Sequence, residues 1–228
     1  GLIDFEDLDS KADVGYTQRY QYLTYIFDKP TMDAYDVHVL VHEFGHAASL
    51  TQNEYTTAID ICEIQSQGLE CLLALDPWMV FDTDESMELY EQYTLNTMLS
   101  SIISGLAVNS FEISAYSGLA DSDEELQALW YQSFAECGFI NGSEWWQIIH
   151  LYDGPLYYIS YAVSAFNALE IFVDGLDDHD AAVNEYLDVV TWTEDEYNQM
   201  TESLGMMNIF DPEDFETVIG ALTGYLIA

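Results

Sequence analysis

At 228 residues, half of them hydrophobic and 14% aromatic, the chain has apolar material for a sizeable core and is not a disordered acidic tail. Its 42 Asp plus Glu face 3 Lys plus Arg, a formal net charge of −39, so nucleic acid and anionic membrane surfaces are excluded as partners. That charge reads as a strongly solvated surface suited to salt rather than as a preference for basic peptides, because net charge governs solubility and association before activity.

Cys62, Cys71 and Cys137 form no Cys-x-x-Cys pair, so they give neither a disulfide framework nor a structural zinc site. Reduced thiols favour a cytoplasmic setting, while an acidic, lysine-poor surface also suits a secreted protein whose leader has been removed. No run reaches the roughly 18 apolar residues of a membrane span, and no signal peptide is visible. The start at Gly1, without Met, fits a piece of something longer.

In chain order, residues 1–19 are polar and acidic, with a basic patch at Lys11 and Arg19, and are expected to form an irregular lead-in. Tyr20 to Phe27 is rich in aromatic and β-branched residues and is the best strand candidate. Pro30 closes it, and Thr31 or Asp33 can cap the helix that follows. From there the pattern is helical. A second helix is expected from about Tyr55 to Leu75, stopped by Asp76-Pro77, and a long one from Asp82 to about Tyr116, interrupted or kinked near Gly105. Asp121 to Glu125 opens another that ends at Gly138, and Asn141-Gly-Ser143 caps a short helix with Trp145 and Trp146. Helices from Pro155 to about Val173 and from Asp178 to Val190 follow. Thr193 to Glu196 reads as a capping box for a helix stopping at Gly205, and Asp211-Pro212 starts the last one. No repeat or linker divides the chain, so the expectation is a single mainly α domain over residues 1–228 with one short N-terminal β region.

The chemistry concentrates in His42-Glu43-Phe44-Gly45-His46, inside a helical run with Val37, Leu40 and Val41. Residues four apart share a helix face, so His42 and His46 can present two imidazoles to one Zn²⁺. Glu43 is turned away from that pair and suits the handling of water. This is the H-E-x-x-H pattern of zinc peptidases. With only five histidines in the chain, a chance match is a weak explanation. A catalytic zinc needs a third protein ligand, and the second helix offers Glu63, Ser66 and Glu70 along one stripe. The alternative is that these three are the solvent side of an amphipathic helix in a very acidic chain. His38 reads as a polar neighbour one turn before His42, and His179 as a solvated loop residue.

His-Glu-Phe-Gly-His-Ala followed by Glu63-x-x-Ser66-x-x-x-Glu70 resembles the thimet oligopeptidase and oligoendopeptidase F family of zinc metallopeptidases. The resemblance extends upstream to Tyr25-Ile-Phe-Asp28 and Asp36-Val37, and downstream to Trp145-Trp-x-x-x-His150-x-Tyr152-Asp-Gly-Pro-Leu-Tyr157-Tyr158-Ile-Ser-Tyr161. It implies a multi-helical zincin-like catalytic domain with Glu63 as third zinc ligand and Glu70 orienting a ligating imidazole. It further implies that Glu43 is the general base and that His150, Tyr161 and either Tyr157 or Tyr158 bind substrate and steady the oxyanion. With 17 tyrosines in the chain, ordinary packing competes for any one of them.

The sequence departs from the family in three respects. The loop between the metal helices is trimmed, Ile64-Gln65 stands where a small residue or proline is usual, and only the C-terminal half of a typical member is covered. The expected activity is hydrolysis of oligopeptides with Zn²⁺ as cofactor and peptides as substrates, with an N-terminal half of the same protein as a partner completing the cleft. The alternative is a metal- or peptide-binding module that keeps the site without turning over alone.

Overall fold

The computed structural model describes residues 2–11, 15–53, 58–140 and 143–227. Its order is β1 (Ile3–Asp4), β2 (Tyr16–Tyr20), β3 (Leu23–Phe27), α1 (Tyr35–Gln52), α2 (Ile59–Leu75), α3 (Asp84–Tyr116), α4 (Asp123–Glu136), α5 (His150–Asp153), α6 (Ile159–Asp177), α7 (His179–Val190), α8 (Tyr197–Leu204) and α9 (Pro212–Leu226). Single 3-10 turns sit at Pro77–Met79 and Trp145–Gln147. The mainly α class is as expected.

The N-terminal β region is larger than its sequence implies. Tyr20–Phe27 is not one strand: β2 and β3 pair antiparallel with Tyr16 opposite Phe27 and Tyr20 opposite Leu23, and β1 joins β3 in parallel. The chain reverses at Gln21, whose φ of 56° supplies the left-handed step. A hairpin of this kind normally advertises itself with Gly or Asn, which are absent here. Part of the supposed lead-in is therefore sheet, and both basic residues in it are engaged. Lys11 donates to Asp4 and to the Asp28 carbonyl, and Arg19 donates to the carbonyls of Leu50 and Asn53. Arg19 thus caps the C-terminal end of α1, where unpaired carbonyls favour a cation.

At its other end α1 is held by two carboxylates. Asp33 accepts the Tyr35 N–H, and Asp36 accepts the N–H groups of Thr31 and Met32. The helix α2 is buried almost all round, with Ile61, Ile64, Cys71 and Ala74 in its apolar share, and packs chiefly on α6. α6 contributes Ala162, Phe166, Leu169 and Phe172, all fully buried. Each such large side chain contributes about 1.5–3 kcal/mol on burial, so the α2–α6 pair is the rigid centre against which α1 is set.

Other boundaries moved for identifiable reasons. α3 runs without interruption through Gly105, because that glycine serves close packing: a Cβ there would lie 2.7 Å from Ala162 Cβ. The helix expected from Pro155 starts at Ile159, after Leu156 takes a left-handed φ of 64°. The Thr193 capping box does not form; α8 begins at Tyr197 with no side-chain cap. Asp211 caps the last helix as expected, Asp178 caps α7 rather than forming its first residue, and Gly138 and Gly205 end their helices with φ of 76°. Glu144 caps the Trp145 turn, while Tyr55, Asn141 and Gly142 lie outside the described residues.

His179 is solvent-exposed, as expected, but does not lie in a loop. It opens α7, and its Nε2 lies 2.5 Å from Asp76 Oδ2, tying α7 to the end of α2. The expectation of no membrane-length segment also needs correction. α3 and α6 each carry an 18-residue window of mean hydropathy 1.2, long and apolar enough to cross a membrane by length and composition. Interspersed Ser, Thr and Asn hide this from a search for unbroken apolar runs. In the fold 39% and 67% of those windows are buried, and α6 is the core helix.

Candidate metal centre and its surroundings

α1 and α2 cross at Gly45. A Cβ at that position would fall 2.3 Å from the Gln65 carbonyl oxygen and 2.5 Å from Ser66 Cα. The glycine therefore lets two helix backbones touch, and the residues on either side of the contact are His42, His46 and Glu63. One imidazole nitrogen from each histidine and one Glu63 oxygen all lie within 4.8 Å of one another. His42 Nε2 is 3.5 Å and His46 Nε2 is 3.7 Å from Glu63 Oε2. Glu63 is 6% exposed, so it is not a solvent-side residue of an amphipathic helix.

Each donor is oriented from behind. Glu70 Oε1 lies 2.6 Å from His42 Nδ1, which turns His42 Nε2 toward Glu63. Ser66, one turn along α2, donates its hydroxyl to Glu63 Oε2 or to the Glu63 carbonyl, at 3.1 and 3.0 Å. Cys62 Sγ is 3.5 Å from His46 Nδ1, a contact no sequence pattern announces. His38 faces Glu70 Oε2 at 3.1 Å and stays out of the triad. α2 is itself pinned by α7, where the Tyr186 hydroxyl donates to the Gln65 carbonyl at 2.9 Å.

The two imidazoles titrate apart. Burial opposes a proton on His42, but the carboxylates of Glu70, Glu63 and Glu43 outweigh it and raise its pKa to about 9. Burial, aided by the neighbouring His42, pushes His46 down to about 3. Glu43, next to His42 on α1, is 5% exposed. Burial raises its pKa, while the Thr17 hydroxyl, 2.7 Å from Oε2, works in the opposite direction.

The aromatic segment forms a second group beside the first. The Tyr161 hydroxyl is 3.5 Å from both His150 Nε2 and the Tyr157 hydroxyl. Burial raises the pKa of Tyr157, with the nearby Glu63 carboxylate adding to it, so the phenol keeps its proton. Tyr158 packs against Phe111, Trp130 and Phe134 in a satellite core, with its ring still 5.9 Å from His150 and 5.3 Å from Tyr161. Of the two tyrosines that sequence left open, Tyr157 is the one whose hydroxyl meets that of Tyr161, and the rings of both stand near His150. Glu112 of α3, 2% exposed, holds the turn before these tyrosines by accepting the N–H of left-handed Leu156 at 2.8 Å.

No family model matches the sequence, and no curated protein matches it. Solved structures do match its fold. A PZ peptidase A bound to an inhibitor superposes over 99% of this chain and 43% of its own, with 23% identity and a TM-score of 0.82. A chain described as an oligoendopeptidase F from Bacillus anthracis covers 99% of this chain and 40% of its own, at 22% identity and TM-score 0.80. Another oligoendopeptidase F structure gives 22% identity and TM-score 0.83 over the full chain and 43% of its own. The chain has the fold of a portion of these peptidases and spans about two fifths of their length.

Proposed function

We propose that the chain is the metal-binding catalytic part of a zinc endopeptidase of the thimet oligopeptidase and oligoendopeptidase F type, acting on oligopeptides. The observation that carries this reading is the convergence of His42, His46 and Glu63. Ligands about 2.0–2.1 Å from a tetrahedral ion lie about 3.3 Å apart, and the gaps to Glu63 of 3.5 and 3.7 Å are close to that spacing. Two nitrogens and one carboxylate oxygen are also the donor set that suits zinc over harder or softer ions. His42 backed by Glu70 is the outer support such ligands require.

Zn²⁺, when bound, lowers the pKa of water toward about 7 and polarises a carbonyl. Everything else falls to side chains. Glu43 takes the proton from the attacking water and delivers it to the leaving amine, and its raised pKa suits both halves of that transfer. Tyr157 and Tyr161, kept protonated by burial, and His150 beside them donate to the oxygen on which negative charge develops. Peptides are the substrates, and the remaining length of such an enzyme forms the other wall of the cleft. That the matched peptidases are more than twice as long supports this division.

The test is Glu43→Gln with a quenched fluorescent peptide library, read with metal analysis. The variant is expected to keep one zinc per chain and lose turnover. Wild-type cleavage by Glu43→Gln would remove the general base, and absence of stoichiometric zinc in the wild-type chain would remove the metal site.

A further inference from the structure

The general base of this site is gripped from the sheet. β2 is an edge strand whose alternate residues Thr17 and Arg19 are turned toward α1, while Tyr16, Gln18 and Tyr20 are exposed. The Thr17 hydroxyl lies 2.7 Å from Glu43 Oε2 and 2.9 Å from the Glu43 carbonyl. It has one proton to donate, and the shorter, charge-assisted contact is the one to the carboxylate. Two residues earlier, Gly15 leaves room for the same side chain. A Cβ on Gly15 would fall 3.2 Å from Glu43 Cγ, 3.3 Å from Glu43 Oε1 and 2.5 Å from Val39 Cγ1. Thr17 of β2 therefore donates to one carboxylate oxygen, and Gly15, just before the strand, keeps the space beside the other free of a side chain.

We propose that Thr17, with Gly15 clearing the space beside it, is a positioning residue that selects the rotamer of Glu43 and so presents its free oxygen to the reacting water. The inference rests on the reading of Glu43 as general base. The physical need is plain. A glutamate has three rotatable side-chain bonds, and a base must sit within hydrogen-bond reach of the proton it removes. Glu43 lacks the metal that fixes His42 and His46, so its orientation must come from the protein. Thr17 Oγ1 is the hydroxyl that supplies it among the described hydrogen bonds to Glu43 Oε2.

The experiment compares Thr17→Val, Thr17→Ser, Glu43→Gln and the double variant Thr17→Val/Glu43→Gln, each assayed for zinc content, kcat and KM on one quenched peptide. Thr24→Val serves as control, since that hydroxyl joins β3 to Thr51 of α1 without touching Glu43. The expected result is a kcat lowered about 10–100-fold in Thr17→Val, with KM and zinc content unchanged, as for other supports of a catalytic group. Thr17→Ser restores kcat, Thr24→Val leaves it alone, and the double variant is no slower than Glu43→Gln, because Thr17 acts only through Glu43. Wild-type kcat in Thr17→Val, or an equal further loss in the Glu43→Gln background, overturns the proposal. Failure of the zinc peptidase reading would look different: Glu43→Gln would cleave normally or the wild type would lack zinc. A readout free of turnover closes the test. In zinc-free protein, the drop in denaturation midpoint caused by Thr17→Val should shrink when Glu43 is alanine, and an equal drop in both backgrounds refutes the grip.

Discussion

Replacing Gly45 by alanine sets two effects against each other, and their sizes decide the outcome. In an exposed helix the change is favourable by about 0.8–1 kcal/mol, since alanine loses less backbone freedom on folding. Here the new methyl would stand 2.3 Å from the Gln65 carbonyl oxygen and 2.9 Å from its carbon, against ordinary contacts that begin at 3.4 Å. Those atoms belong to the backbone of α2, so no rotamer change relieves the overlap. α1 and α2 must separate by about 1 Å, and overpacking of this kind costs about 1–3 kcal/mol. The net effect is destabilising, and its larger consequence is chemical. Glu63 rides on the helix that moves, and its gaps to the two imidazoles, now 3.5 and 3.7 Å, open beyond what one ion bridges. Zinc affinity, measured by competition with a chelating dye, should fall at least about tenfold, the lower bound for disturbing the setting of a metal ligand. Thermal melting of the zinc-free chain should fall too. A Gly45→Ala protein that binds zinc as tightly as wild type and melts at the same temperature would show that the helix crossing does not set the site.

Tyr157→Phe should lower kcat by about 100-fold or more, the usual loss of an oxyanion donor, while Tyr158→Phe stays within a few-fold of wild type in the same peptide assay; the reverse order would move the donor role to Tyr158. A pH effect comes from Glu170, Asp174 and Glu185, whose oxygens gather within 4.8 Å between α6 and α7, with Asp177 and Asp188 adding negative charge nearby. Burial first, then these neighbours, raises Glu170 to about 8 and Glu185 to about 7 from 4.5. The folded chain therefore holds protons that the unfolded chain has released, so this contribution to stability is full at acid pH and declines as pH rises from about 4.5 to 8. Glu185→Gln should flatten that decline in denaturation midpoints, and an unchanged slope would contradict the assignment.

The candidate site was legible where its determinants are local. His42 and His46 share a helix face by spacing alone, and the family resemblance extended that to Glu63 and Glu70, which the fold brings to the same place. What stayed hidden depends on long-range or unadvertised geometry. Thr17 reaches Glu43 across 26 positions, from a segment whose hairpin turns at Gln21 without a glycine to mark it. The left-handed Leu156 that precedes Tyr157 and Tyr158 is held by Glu112, 44 positions away. Thr193 to Glu196 has the letters of a capping box, yet tertiary packing of Tyr197 and Met200 starts the helix later. His179 reads as loop because nothing local reveals Asp76 waiting 103 positions earlier.

X-ray absorption at the zinc edge, on the chain loaded with one equivalent of Zn²⁺, tests the central claim most directly. The expected first shell has two imidazole nitrogens and a carboxylate oxygen at about 2.0–2.2 Å, with one further light atom, and Glu63→Ala should remove one oxygen and weaken binding. A sulfur ligand at about 2.3 Å, or a shell unchanged by Glu63→Ala, would contradict the account.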